Sequence, residues 1–153
     1  MGLSGRAGGA VMAHAELDRV WPRDGRVRLI GRLHGRDPAA GETWELLLAP
    51  RDGDGRRLRY PAALDGPAFD VSFPADDLLL PDIALPAYWD VHLAPGPTAT
   101  APRLRVARLL DDIRGKKHVM VYPGQRVTAA GRTACVRPYY TVKDNLSVEV
   151  TPE

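Results

Sequence analysis

The side chains able to do chemistry are few and scattered. The four histidines are His14, His34, His92 and His118. No two stand at a spacing of two or four residues, so local metal-ligand spacing is missing, and no metal site is expected. Cys135 is the single cysteine. It excludes an internal disulfide and reads as a half-buried structural thiol rather than a nucleophile, although Arg132 and Arg137 lie near it. Asp76-Asp77 and Asp111-Asp112 are adjacent carboxylates. Neighbours on an extended strand point to opposite faces, which is the wrong arrangement for paired acid–base work, so both pairs read as solvated loop residues. Asp52-Gly53-Asp54-Gly55 has Arg56 where a calcium loop needs a third acidic ligand, and reads as a hairpin turn. Gly115-Lys116-Lys117 has no glycine five residues upstream, so it is not a phosphate loop and reads as a solvated turn. No nucleophile elbow occurs. No cofactor is implied.

Aromatic residues remain as candidates for a binding surface. Trp44 and Trp89 share the apolar register of their strands and are expected in the core. Trp21, Tyr139 and Tyr140 lie near strand ends and are better placed than these two for an exposed platform, although packing within the turns is the favoured reading of them.

The elements that must carry these residues are strands. Val27, Leu29, Gly31 and Leu33 alternate with Arg26, Arg28, Ile30 and Arg32, and Trp44, Leu46 and Leu48 with Glu45 and Leu47; Phe69, Val71 and Phe73, then Trp89, Val91 and Leu93, follow the same period. Shorter alternations follow at Leu104 and Val106, Val119 and Val121, Ala134 and Val136, and Leu146, Val148 and Val150. This period of two marks half-buried antiparallel strands. Asp24-Gly25, Asp65-Gly66-Pro67, Pro95-Gly96-Pro97 and Pro123-Gly124 punctuate them. Fourteen prolines leave no room for a long helix. Residues 75–80, between Pro74 and Pro81, suit a one-turn crossover between sheets. The pattern predicts an all-β fold, an antiparallel β-sandwich of immunoglobulin or fibronectin type with about eight to ten strands. A small β-barrel is the alternative. It would need polar groups converging inside, and His92, His118 and Arg137 are the suppliers.

The chain has 153 residues, enough for one domain, expected over residues 14–151 behind a glycine-rich lead-in at 1–13. Twenty-one basic against 19 acidic residues give a formal charge of +2, too balanced for nucleic acid as the main ligand. The arginine excess over lysine reads as a compositional bias. No apolar run approaches a membrane span and the lead-in lacks the apolar core of a secretory signal. The expected location is cytoplasmic, with any membrane association through a partner.

Three stretches carry a family likeness: Tyr88-Trp89-Asp90-Val91-His92-Leu93, Arg103-Leu104-Arg105-Val106, and Tyr139-Tyr140-Thr141-Val142-Lys143-Asp144-Asn145-Leu146-Ser147-Val148. Together they resemble a β-sandwich accessory module of actinobacterial cell-surface polymer enzymes. That module occurs beside family 2 glycosyltransferase domains and CDP-glycerol glycerophosphotransferase domains. The likeness extends over residues 16–150, with Asp144 where the module usually has glycine. It implies a noncatalytic accessory domain whose partner is a transferase or its surface polymer, such as a teichoic-acid-like chain or a glycan. On that reading Trp21, Tyr139, Tyr140, Lys143 and Asn145 are the candidate ligand-binding residues. The competing reading is a small enzyme or ligand carrier built on the barrel.

Overall fold

A computed structural model describes residues 13–52, 55–96 and 103–153. The lead-in expected at 1–13 therefore lies almost wholly outside the described residues, as does the centre of the 52–55 turn. Among the described residues, eleven strands form β1 (His14–Arg23), β2 (Arg26–His34), β3 (Trp44–Pro50), β4 (Leu58–Ala62), β5 (Leu64–Asp65), β6 (Ala68–Pro74), β7 (Ala87–Pro95), β8 (Leu104–Ala107), β9 (Gln125–Ala129), β10 (Arg132–Tyr140) and β11 (Leu146–Pro152). One layer runs β4-β3-β7-β11-β10-β9 and the other runs β5-β6-β2-β1. The arrangement is a β-sandwich that does not close into a barrel.

The layers are joined at one corner by β8. Its first residues pair antiparallel with β7, His92 opposite Arg105 and Leu93 opposite Leu104. Its last residues pair parallel with β1, Ala15 opposite Val106 and Glu16 opposite Ala107. The fold is thus not wholly antiparallel. A strand that leaves one sheet for the other meets its second neighbour in whatever direction the chain is already travelling.

The alternating residues fill the space between the layers. Leu46, Leu48, Trp89, Val91, Leu93, Val136, Val148 and Val150 meet Leu17, Val27, Leu29, Phe69, Val71 and Phe73 in one core. Trp44 and Trp89 are both buried there. Asp24 and Gly25 have φ of 57° and 74°, so β1 and β2 join through a two-residue turn whose twist matches the strands. Residues Ala75–Leu78 form a 3-10 turn that carries the chain from β6 in one layer towards β7 in the other.

The segment before β9 departs from the sequence pattern. Val119 and Val121 are not on a strand. Lys116–Val119 form one helical turn, and both valines are largely exposed. Two apolar residues are too short a run to specify a strand, and a different force anchors the segment. Lys116, expected in a solvated turn, is 2% exposed. Its ammonium pairs with Asp111 at 2.9 Å and Asp144 at 3.4 Å and donates to the Ile113 carbonyl at 2.9 Å. Asp111 also accepts from Arg108 at 2.5 Å, so this carboxylate is a structural ion-pair partner and not a solvated loop residue.

Candidate functional site

Along β7, Trp89, Val91 and Leu93 point into the core, which sends Tyr88, Asp90 and His92 to the outer face of the sheet. The neighbouring strands bring polar residues to the same place. Ser147 on β11 is in register with Asp90, and Arg105 on β8 with His92. On the other side Arg51 extends the β3 pairing through its backbone N–H, which donates to the Tyr88 carbonyl at 2.8 Å.

Asp90 is the centre of this convergence. Its Oδ1 accepts from Arg51 Nη2 at 2.9 Å, Arg105 Nη2 at 3.1 Å and Ser147 Oγ at 2.8 Å. Arg51 Nη2 also donates to the Tyr139 hydroxyl at 3.0 Å. Arg105 Nη1 donates to the Val91 and Leu146 carbonyls at 2.8 and 2.7 Å, so this guanidinium ties β7, β8 and β11 together. Burial pushes the Asp90 carboxyl up, but the hydrogen bonds from Arg51 and Ser147 and the charges of Arg105 and Arg51 outweigh it, leaving the group below the usual carboxylate range. One carboxylate shared by two guanidiniums leaves a surplus positive charge on the sheet.

Two hollows flank the cluster, and Arg51 lines both. The first, of about 510 Å³, is aromatic and basic. The rings of Tyr88 and Tyr139 meet edge-on with centroids 6.4 Å apart, and the Arg51 guanidinium lies 5.4 Å from the Tyr88 ring centroid. Arg137, Lys117 and His118 stand around them. The second, of about 320 Å³, is lined by Arg56, Arg57, Arg103, His92 and Asp90. A larger hollow of about 760 Å³ adjoins the aromatic one. Its central charges, Asp111, Lys116 and Asp144, satisfy one another, which makes it a structural junction.

Of the residues expected from sequence to bind ligand, Tyr139 lies in the aromatic hollow. Tyr140 does not. It is fully buried beneath the sheet, its hydroxyl 3.2 Å from that of Tyr122, because on β10 it takes the inward position beside Tyr139. Trp21 is 38% exposed on the outer face of the other layer, with the Arg23 guanidinium 5.1 Å from its ring. Lys143 is exposed on the turn that follows β10. Asn145 helps to close that turn, its N–H donating to Thr141 Oγ1 at 3.3 Å and its carbonyl accepting from the Thr141 N–H at 2.8 Å. The three polar groups of the barrel alternative do not converge: His118 and Arg137 line the aromatic hollow and His92 the arginine-lined one.

Arg51, Tyr88, Asp90, Arg103, Arg105 and Ser147 were not singled out by residue chemistry, and His92 was singled out only as a group for the interior of a barrel. A signal was present. All but Arg51 are the outward-pointing members of the stretches that carry the family likeness. Among the described residues no group of three His, Cys, Asp or Glu side chains could hold a metal ion.

No protein-family model and no curated protein matches the chain. Solved structures do. The chain is similar to the crystal structure of S. aureus TarS 217–571, with a TM-score of 0.68 and 14% identity over 94% of this chain and 39% of that one. A second S. aureus TarS crystal structure gives a TM-score of 0.66 and 13% identity over 92% of this chain and 25% of that one. At these identities the likeness is one of fold. The class is therefore a β-sandwich domain sharing the fold of part of TarS, and the chain spans 39% and 25% of the lengths of those two structures.

Proposed function

We propose that this chain is a noncatalytic binding domain associated with a cell-surface polymer transferase, and that it holds an anionic polymer of the teichoic-acid type on the outer face of β3, β7, β10 and β11. The fold shared with the TarS structures supports a relation to a cell-surface polymer transferase domain. The observation that carries the reading is the pairing of Tyr88 and Tyr139 with Arg51, next to further arginines, on one continuous sheet face. Tyrosine rings offer flat apolar surface for the C–H faces of sugars or polyols. Guanidinium groups pair with phosphate oxygens in a planar, two-pronged fashion. An open groove combining the two suits an extended chain of alternating polyol and phosphate units better than a small enclosed substrate.

Calorimetry with a short phosphodiester-linked glycerol oligomer tests this. Binding is expected to weaken as salt rises, since cations displaced from the polymer must be released into a more concentrated bath. Tyr139→Ala, which removes the platform and a hydrogen bond to Arg51, is expected to weaken binding about tenfold. Absence of oligomer binding by the intact chain would remove the polymer reading, and equal affinity for Tyr139→Ala would remove this face as its location.

A further inference from the structure

The aromatic hollow accounts for the polyol part of such a ligand and leaves the second hollow without a role. That hollow holds cations in two different states. Arg56 pairs with Asp82 at 2.6 Å and Arg51 with Asp90 at 2.9 Å. Arg57 and Arg103, in contrast, make no side-chain hydrogen bond or ion pair among the described residues. They come from opposite flanks, Arg57 just before β4 and Arg103 just before β8, and face the same cleft. The one carboxylate in the lining among the described residues, Asp90, is already engaged by Arg51, Arg105 and Ser147. His92 also lines this cleft, and its buried Nδ1 has no hydrogen-bond partner among the described residues.

We propose that the cleft between Arg57, Arg103 and His92 is a phosphate-ester subsite, taking one phosphodiester group of the polymer whose polyol units lie on Tyr88 and Tyr139. This rests on the polymer reading above and adds the group recognised. Donors arriving from separate segments suit the oxygens of a tetrahedral phosphate, which do not lie in one plane as those of a carboxylate do. The like charges of Arg57 and Arg103 oppose each other, and an anion between them removes that opposition. The imidazole is neutral at neutral pH. Burial first, then Arg103, Arg105 and Arg57 against the opposing Asp90, pushes it down to about 4. A neutral ring retains one N–H to donate to a phosphate oxygen.

Two probes test the subsite on the full chain, inorganic phosphate and the glycerol phosphodiester oligomer, with calorimetry and histidine-ring NMR as readouts. Arg57→Gln/Arg103→Gln is expected to weaken both by about tenfold or more, since each change removes a charge-assisted contact. Both arginines are exposed before their strands begin, and circular dichroism checks that the variant keeps its fold. Saturating phosphate is expected to raise the titration midpoint of His92, because an anion offsets the arginine field that suppresses the imidazolium. Unchanged phosphate affinity in the double variant, or a His92 midpoint that phosphate does not move, overturns the proposal. If Tyr139→Ala loses the oligomer while the double variant keeps it, the subsite is wrong and the polymer reading stands. If the oligomer does not bind but inorganic phosphate binds wild type and not the double variant, the subsite stands and the polymer reading falls.

Discussion

Replacing Asp90 by alanine tests whether the outer-face cluster is a working part of the fold. The carboxylate is the shared acceptor for Arg51, Arg105 and Ser147. After the change Arg105 keeps its bonds to the Val91 and Leu146 carbonyls but loses its counter-charge. Breaking a fully buried ion pair costs about 3–5 kcal/mol, whereas an exposed pair contributes about 0–1 kcal/mol. The side chains of Arg105 and Asp90 are 23% and 25% exposed, which places this pair between the limits. The expected loss, discounted for that exposure, is about 2 kcal/mol, or a Tm lower by about 4–8 °C for a domain of this size. Urea unfolding followed by circular dichroism measures it. Asp70→Ala is the control, because the Asp70–Arg28 pair sits on the other layer with both side chains about half exposed, and no measurable shift is expected there. A change at Asp90 no larger than the control would refute the reasoning. The pH dependence gives a second check. A carboxyl held below its unfolded value of about 3.9 contributes stability above that pH and loses it as pH falls through the folded value. The alanine variant should lack this acid-side slope.

Other outcomes follow from single residues. Ala130 sits in the turn between β9 and β10 with φ of 51°, exposed and in the left-handed region, so Ala130→Gly should raise the unfolding free energy by about 1 kcal/mol in urea titration. Gly31 lies opposite the irregularity in β1, where an added Cβ would strike the Glu16 carbonyl and come within 2.7 Å of the Phe69 ring. Gly31→Ala should cost about 2 kcal/mol or more, and thermal unfolding measures it. His92 protonates near 6.5 in the unfolded chain and at about 4 in the folded one. Its contribution to stability is therefore full above about 6.5 and declines as pH falls towards about 4, and His92→Gln should flatten that interval.

The sandwich was legible because its signal is local. Trp89, Val91 and Leu93 are inward on β7 for the same reason that they alternate in sequence, and the Asp24-Gly25 pair names its own turn. Asp144, where the resembling module has glycine, has φ of 63°, so the turn conformation carried over while the residue changed. The segment 111–121 was illegible because its anchor is a buried lysine whose partners, Asp111 and Asp144, include one from another loop. The candidate site was illegible for a related reason. Arg51, Asp90, Arg105 and Ser147 are far apart in sequence, and each is an ordinary polar residue on a strand or, for Arg51, just past the end of one. Strand order alone brings them together. Treating the arginines as compositional bias hid them further. Tyr139 and Tyr140 show the limit of position arguments: neighbours on one strand, one is on the surface and the other beneath it.

The most direct test is the location of a bound glycerol phosphodiester oligomer on the folded chain, mapped by amide and side-chain NMR shifts. We expect perturbation to concentrate at Tyr88, Tyr139 and Arg51 and to extend to Arg57, Arg103 and His92. Perturbation confined to the Trp21 face of the other layer, or none at saturating oligomer, would contradict it.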